Sequence, residues 1–113
     1  MASPVQSLVD EATFDFTLGD HEAALRKLQE AVSTDPACAA AWHAMAEVCF
    51  DQGDHEKARD AGLKAVALKE DDVHLHTTLS RIYMELGDKP TAEKHGARAR
   101  VLGWKSQLQG EDD

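Results

Sequence analysis

Apolar and polar positions along this chain recur as a unit. Phe16, Phe50 and Met84 stand 34 residues apart, as do Ala24, Ala58 and Ala92, and Ala31, Ala65 and Ala99. Gly19-Asp20, Gly53-Asp54 and Gly87-Asp88 keep the same interval. Each Gly-Asp pair predicts a turn between two helices: glycine takes a conformation closed to other residues, and the aspartate carboxylate accepts backbone N–H groups at the next helix start. Ser3-Pro4-Val5-Gln6 predicts the first helix start, with Ser3 as N-cap, Pro4 in the first helical position and Gln6 completing a capping box. That helix is expected to run to about Thr17. The second helices are expected to end near Asp35-Pro36, near Lys69 to Asp72 and near Leu102-Gly103, with Asp71 or Asp72 capping the helix that follows. Pro90 falls in a first turn, where it is tolerated.

In register, the copies span 5–38, 39–72 and 73–106, leaving 107–113 as a short C-terminal tail. At 113 residues the whole chain, 1–113, reads as one domain. Small residues at both ends of each second helix let antiparallel helices approach closely. Trp42, Met45, Leu75, Leu79, Ile82 and Leu102 supply apolar bulk between layers. Gly62 and Gly96 lie inside predicted helices, where each costs about 1 kcal/mol relative to alanine. Both therefore ask for a bulky neighbour seated on the backbone, and Trp104 is the expected neighbour of Gly96. Drift in a weakly packed end is the alternative.

These positions resemble the tetratricopeptide repeat family over nearly the whole chain. The middle copy carries Trp42, Met45-Ala46, Cys49, Gly53, Ala58 and Ala65; the third carries Leu79-Ser80, Tyr83, Gly87, Ala92 and Ala99; the first carries Gly19, Ala24, Leu28, Ala31 and Pro36. It departs from the pattern where a large aromatic is usual, with Leu28, Gly62 and Gly96, and at the closing proline, replaced by Glu70 and Trp104. The resemblance implies an all-α, right-handed superhelix of three helix-turn-helix units, about six antiparallel helices plus the tail.

Charge and chemistry narrow the function. The 21 acidic and 12 basic side chains leave a net −9, which speaks against binding nucleic acid or an anionic membrane through a general positive field. The imbalance is uneven: residues 1–72 hold 15 acids and 6 bases, residues 73–110 hold 3 and 6. Cys38 and Cys49 show no metal-binding spacing, no segment reaches the roughly 18 apolar residues of a membrane span, and the chain is expected to be cytoplasmic. His21 and His55 occupy equivalent turns about 10 Å apart, too far to share an ion. His74 and His76 point to different helix faces. Phosphate loop, Cys-x-x-Cys and nucleophile elbow are all missing. No enzyme activity, cofactor or metal is expected, and Cys49 reads as a buried small hydrophobe.

In the resembled family the first helices line a concave groove. The positions implied here are Val9, Asp10, Thr13, Phe16 and Thr17, then His43, Ala44, Glu47, Phe50 and Asp51, then His74, Thr77, Thr78, Arg81, Met84 and Glu85. Phe16, Phe50 and Met84 form an apolar stripe flanked by Asp10, Glu47, Asp51 and Glu85. It suits a protein or peptide partner with apolar anchors and some basic residues; the alternative is that the three pack between helices. His43, Glu47, His74, Thr78 and Arg81 converge as a polar patch able to respond to pH. Family members that grip a chaperone's C-terminal carboxylate do so with lysine, asparagine and arginine, where this chain has Val9, Thr13, Ala44, His74 and Thr78. Three functions follow: an adaptor that captures a partner segment, a structural subunit stacking head to tail through an acidic front and a basic end, or an accessory subunit of a larger enzyme complex. Stacking requires that Trp104 and Leu108 do not cover the last repeat.

Overall fold

Each Gly-Asp turn is built twice over. In the computed structural model, which describes residues 3–111, Gly19, Gly53 and Gly87 have φ of 85°, 84° and 81°. At that φ a β-carbon would clash, and the chain reverses with two ladder bonds: Gly19 N–H donates to Phe16 O and Asp20 N–H to Asp15 O, repeated at Gly53-Asp54 and Gly87-Asp88. The aspartate then opens the next helix, Asp20 Oδ1 accepting from Ala23 N, Asp54 Oδ1 from Lys57 N and Asp88 Oδ1 from Thr91 N.

Six helices result among the described residues: α1 (Pro4–Thr17), α2 (His21–Thr34), α3 (Ala39–Asp51), α4 (His55–Leu68), α5 (Val73–Glu85) and α6 (Lys89–Glu111). Ser3 caps α1 as expected, its hydroxyl accepting from Gln6 N. The Gln6 side chain does not return to complete a capping box; it donates forward to Asp10 Oδ1. Between α4 and α5 the cap is Asp72, while Asp71 receives Arg98 from α6.

Consecutive helices pair as α1–α2, α3–α4 and α5–α6. The first helices also touch one another, α1 with α3 and α3 with α5, whereas the second helices do not. The stack therefore curves with its first helices inside, an all-α helical-repeat solenoid. Its core falls into two clusters. One gathers Val5, Val9, Ala12, Leu28 and Val48; the other gathers Ala46, Cys49, Ala58, Leu79 and Ile82. Alanines at the helix crossings are buried to the last atom (Ala24, Ala31, Ala58, Ala65), which lets the pairs close to backbone contact.

Two expectations change at the end of the chain. The last helix does not stop near Gly103; it continues to Glu111 through most of the segment expected as a tail, and Asp112 and Asp113 lie outside the described residues. A glycine weakens a helix without terminating one, and Lys105, Gln107, Leu108 and Gln109 are good helix formers with no proline after them. Helical continuity also keeps Trp104 off Gly96. Eight residues along one helix carry it about 12 Å away, and Trp104 is exposed, as is Leu108. A β-carbon at Gly96 would meet Ser80 Oγ at 3.3 Å instead. For Gly62 the expected bulky neighbour exists: it is Leu79, whose Cδ2 would lie 2.8 Å from a β-carbon there.

Candidate functional site

The inner face is concave between α1 and α3. A cleft of about 380 Å³ opens there, floored by Val9, Ala12, Leu28 and Val48, walled by Phe16 and Ala44, and rimmed by Thr13, His43 and Glu47. Of the residues expected to line the groove, Val9 and Thr78 are buried and form floor; Asp10, Thr13, Thr17, Asp51, His74, Thr77, Arg81, Met84 and Glu85 are exposed; Phe16, His43, Ala44, Glu47 and Phe50 are half-buried. Ala12, Leu28 and Val48 were not among the expected lining. Their small or inward-facing side chains form the floor only because α1 and α3 diverge above them.

The three residues of the expected apolar stripe differ in their surroundings. The edge of the Phe16 ring meets His21 at 5.4 Å between centroids. Phe50 lies under the Arg81 guanidinium at 4.8 Å and beside His55 at 5.3 Å, while Met84 stands exposed. Phe16 and Phe50 also pack on the two core clusters, so each is partly a groove wall and partly a helix contact.

Three of the five residues in the polar patch meet. His43 Nε2 lies 3.2 Å from Thr78 Oγ1, which donates to Glu47 Oε1 at 2.9 Å. The second contact leaves the His43 N–H to donate to the hydroxyl. Against its partial burial, His43 above all, then Thr78 and Arg81, holds the Glu47 carboxyl below the usual carboxylate range. Arg81 joins through its field, and exposed His74 makes no hydrogen bond among the described residues.

The acidic flanks are largely engaged already. Asp51 Oδ2 takes His21 Nε2 at 2.6 Å, and His21 Nδ1 lies 3.0 Å from Gly19 O. Both ring nitrogens thus face acceptors, which suits the doubly protonated imidazolium, and the Asp51 carboxylate raises the histidine above its ordinary pKa. Asp10 accepts from Gln6, and Glu47 is held as above. Glu85 makes no ion pair among the described residues.

A second histidine cluster lies between α5 and α6. His76 is buried, its Nε2 donating to Glu70 O at 2.7 Å, which leaves Nδ1 to accept from His95 Nδ1 at 3.0 Å. His95 stacks in turn on Tyr83. Burial first, then His76 and Lys94, pushes the His95 pKa down. The repeat register held a signal for this, since His76 occupies the place that Trp42 fills one copy earlier. No group of three or more metal-binding side chains occurs among the described residues.

A tetratricopeptide repeat profile matches residues 10–73, over half of the chain, and the chain belongs to the tetratricopeptide repeat family. No curated protein sequence matches it. Among solved structures it is similar to the crystal structure of MamA (21% identity, TM-score 0.87, covering 92% of this chain and 61% of that one). It is similar also to MamA AMB-1 in a P212121 crystal (16%, 0.82, 91% and 61%). A third similar structure is the second repeat domain of Spaghetti (RPAP3) bound to the HSP90 peptide SRMEEVD (18%, 0.84, 87% and 91%). At these identities the shared property is the fold. The chain spans about three fifths of the MamA chains it matches.

Proposed function

We propose that the chain is a protein-interaction adaptor whose inner face takes an extended or helical segment of a partner protein. The observation that supports this most directly is the cleft between α1 and α3, open on the inner face, apolar at its base and polar at its rim. That combination suits one apolar anchor side chain held by burial and oriented by hydrogen bonds to Thr13, His43 or Glu47. Because Asp51, Asp10 and Glu47 already have internal partners, a basic partner residue has Glu85 as its least engaged carboxylate, and selection rests chiefly on the apolar anchor.

Thr13 gives the cleanest test. It is exposed at the cleft mouth, and Thr13→Arg blocks entry without removing core. Phe50→Asp, by contrast, also attacks the second core cluster. The tagged chain is purified from its own cells beside Thr13→Arg, co-purifying proteins are identified by mass spectrometry, and the contact is repeated with a synthetic segment. A segment that binds wild type and is lost from Thr13→Arg, with helicity unchanged by circular dichroism, supports the reading. Equal binding to both proteins overturns it.

A further inference from the structure

Eight large apolar side chains are exposed among the described residues, and five of them belong to the two ends of the stack. On α6, Val101, Trp104 and Leu108 are 52%, 65% and 43% exposed, spaced i, i+3, i+7 on the face away from buried Ala92 and Ala99. At the other end Phe14 and Leu18 are 64% and 68% exposed, one turn apart. Covering side chains of this size removes apolar surface from water, which favours association in proportion to the area covered. The two ends do not touch within one molecule.

Their charges are opposite. The α6 segment holds Lys89, Lys94, Arg98, Arg100 and Lys105 against Glu93 and Glu111, and Lys94, Arg98 and Lys105 run along one edge of its apolar stripe. The α1 segment carries Asp10, Glu11 and Asp15 with no lysine or arginine. Lys27 pairs closely with Asp15 at 2.7 Å but only distantly with Glu11 at 4.0 Å, so Glu11, beside Phe14, keeps most of its charge outward.

We infer that the Val101–Trp104–Leu108 face of α6 docks on the Phe14–Leu18 face of a second copy, with Lys94 and Lys105 set against Glu11; Arg98 on the same edge is already paired with Asp71. Apolar surface supplies the attraction, and charge selects the orientation, opposing pairing of two like ends. Because the two faces differ, the contact is heterologous: each bound pair leaves one face of each kind free, and assembly continues into chains or closes into a ring. None of Phe14, Leu18, Val101, Trp104 and Leu108 lines the cleft between α1 and α3, so this contact and the partner site above can be tested separately.

The test is the molar mass of the full chain, by light scattering and sedimentation, at rising concentration and low salt. Wild type is expected to exceed the mass of one chain increasingly with concentration. Phe14→Glu and Trp104→Glu each weaken association about tenfold or more, with helicity unchanged, and Leu108→Glu serves as a second variant of the α6 face. Mixing Phe14→Glu with Trp104→Glu is decisive, because the first keeps a sound α6 face and the second a sound α1 face. The mixture should form two-chain species and nothing larger. A wild type that stays at one chain, a mixture that stays at one chain, or a Phe14→Glu chain that assembles like wild type would each overturn the inference; the last would indicate α6 pairing with α6.

Discussion

Gly62 and Gly96 occupy equivalent places in successive repeats, yet their surroundings give opposite consequences for the same substitution. Alanine gains about 1 kcal/mol of helix propensity at either site. At position 62 the new methyl would lie 2.8 Å from Leu79 Cδ2, and Leu79 is fully buried, so the clash can be relieved only by displacing core. Overpacking of that kind costs about 1–3 kcal/mol, and Gly62→Ala is expected to be destabilising on balance. At position 96 the nearest atoms are Ser80 Oγ at 3.3 Å and Arg100 Nη1 at 3.7 Å. The hydroxyl need yield only a few tenths of an ångström while keeping its bond to Ala92 O, and the arginine is exposed. Gly96→Ala is expected to stabilise by roughly 0.5–1 kcal/mol. Urea unfolding of the two variants checks the prediction, and shifts of the same sign would refute it. The need for a close neighbour was legible at position 62 because the cost of a helical glycine is local. That the neighbour is Leu79, and that Gly96 has no comparable one, depends on which helix crosses at that height.

At the scale of elements, two histidines tie segments together with opposite dependence on pH. His21 joins the first turn to the end of α3 through Asp51, and its pKa is raised by that carboxylate. Its contribution is complete below the unfolded value of about 6.5 and is lost as pH rises through the folded value. His95 joins α6 to α5 through His76, and burial lowers the His95 pKa. That contribution is complete above about 6.5 and is lost as pH falls toward the folded value. Relative to wild type, the stability deficit of His21→Gln should shrink as pH rises past neutrality, while that of His95→Gln should shrink as pH falls from neutral toward 5. Urea midpoints across that range measure both, and variants whose curves run parallel to wild type would dismiss the linkage. The histidine cluster escaped a reading by local spacing because His76 and His95 are 19 residues apart and meet only when α5 packs on α6.

For the whole molecule, the side chains on the inner face lead to a specific prediction. The RPAP3 domain of the same fold binds SRMEEVD, a peptide with two glutamates and a terminal aspartate. The positions that the family resemblance assigns to a carboxylate grip hold Val9, Thr13, Ala44, His74 and Thr78 here, with Val9 and Thr78 buried and Arg81 engaged over the Phe50 ring. No lysine or asparagine stands among them to receive a terminal carboxylate. Titration of the chain with SRMEEVD, followed by calorimetry, is expected to show no saturable binding; micromolar affinity would mean that the groove recruits cations from elsewhere on the surface. Among the described residues no helix is long and apolar enough to cross a membrane.

The amino-acid sequence by itself determined the repeat, the three Gly-Asp turns, the capped starts of α1, α2, α4, α5 and α6, the ends of α1 and α2, and the recurring alanine positions. The turns and caps depend on interactions within a few residues, a left-handed glycine and a capping carboxylate, and the repeat and its alanines are legible because the same residue types return every 34 positions. The tertiary structure decided where α6 ends, what rests on Gly62 and Gly96, which groove carboxylates are already held, and which apolar residues stay in water at the two ends. Those properties belong to pairs of residues distant in sequence. A side chain's local pattern states what it can bond to, but only packing brings the partner within reach.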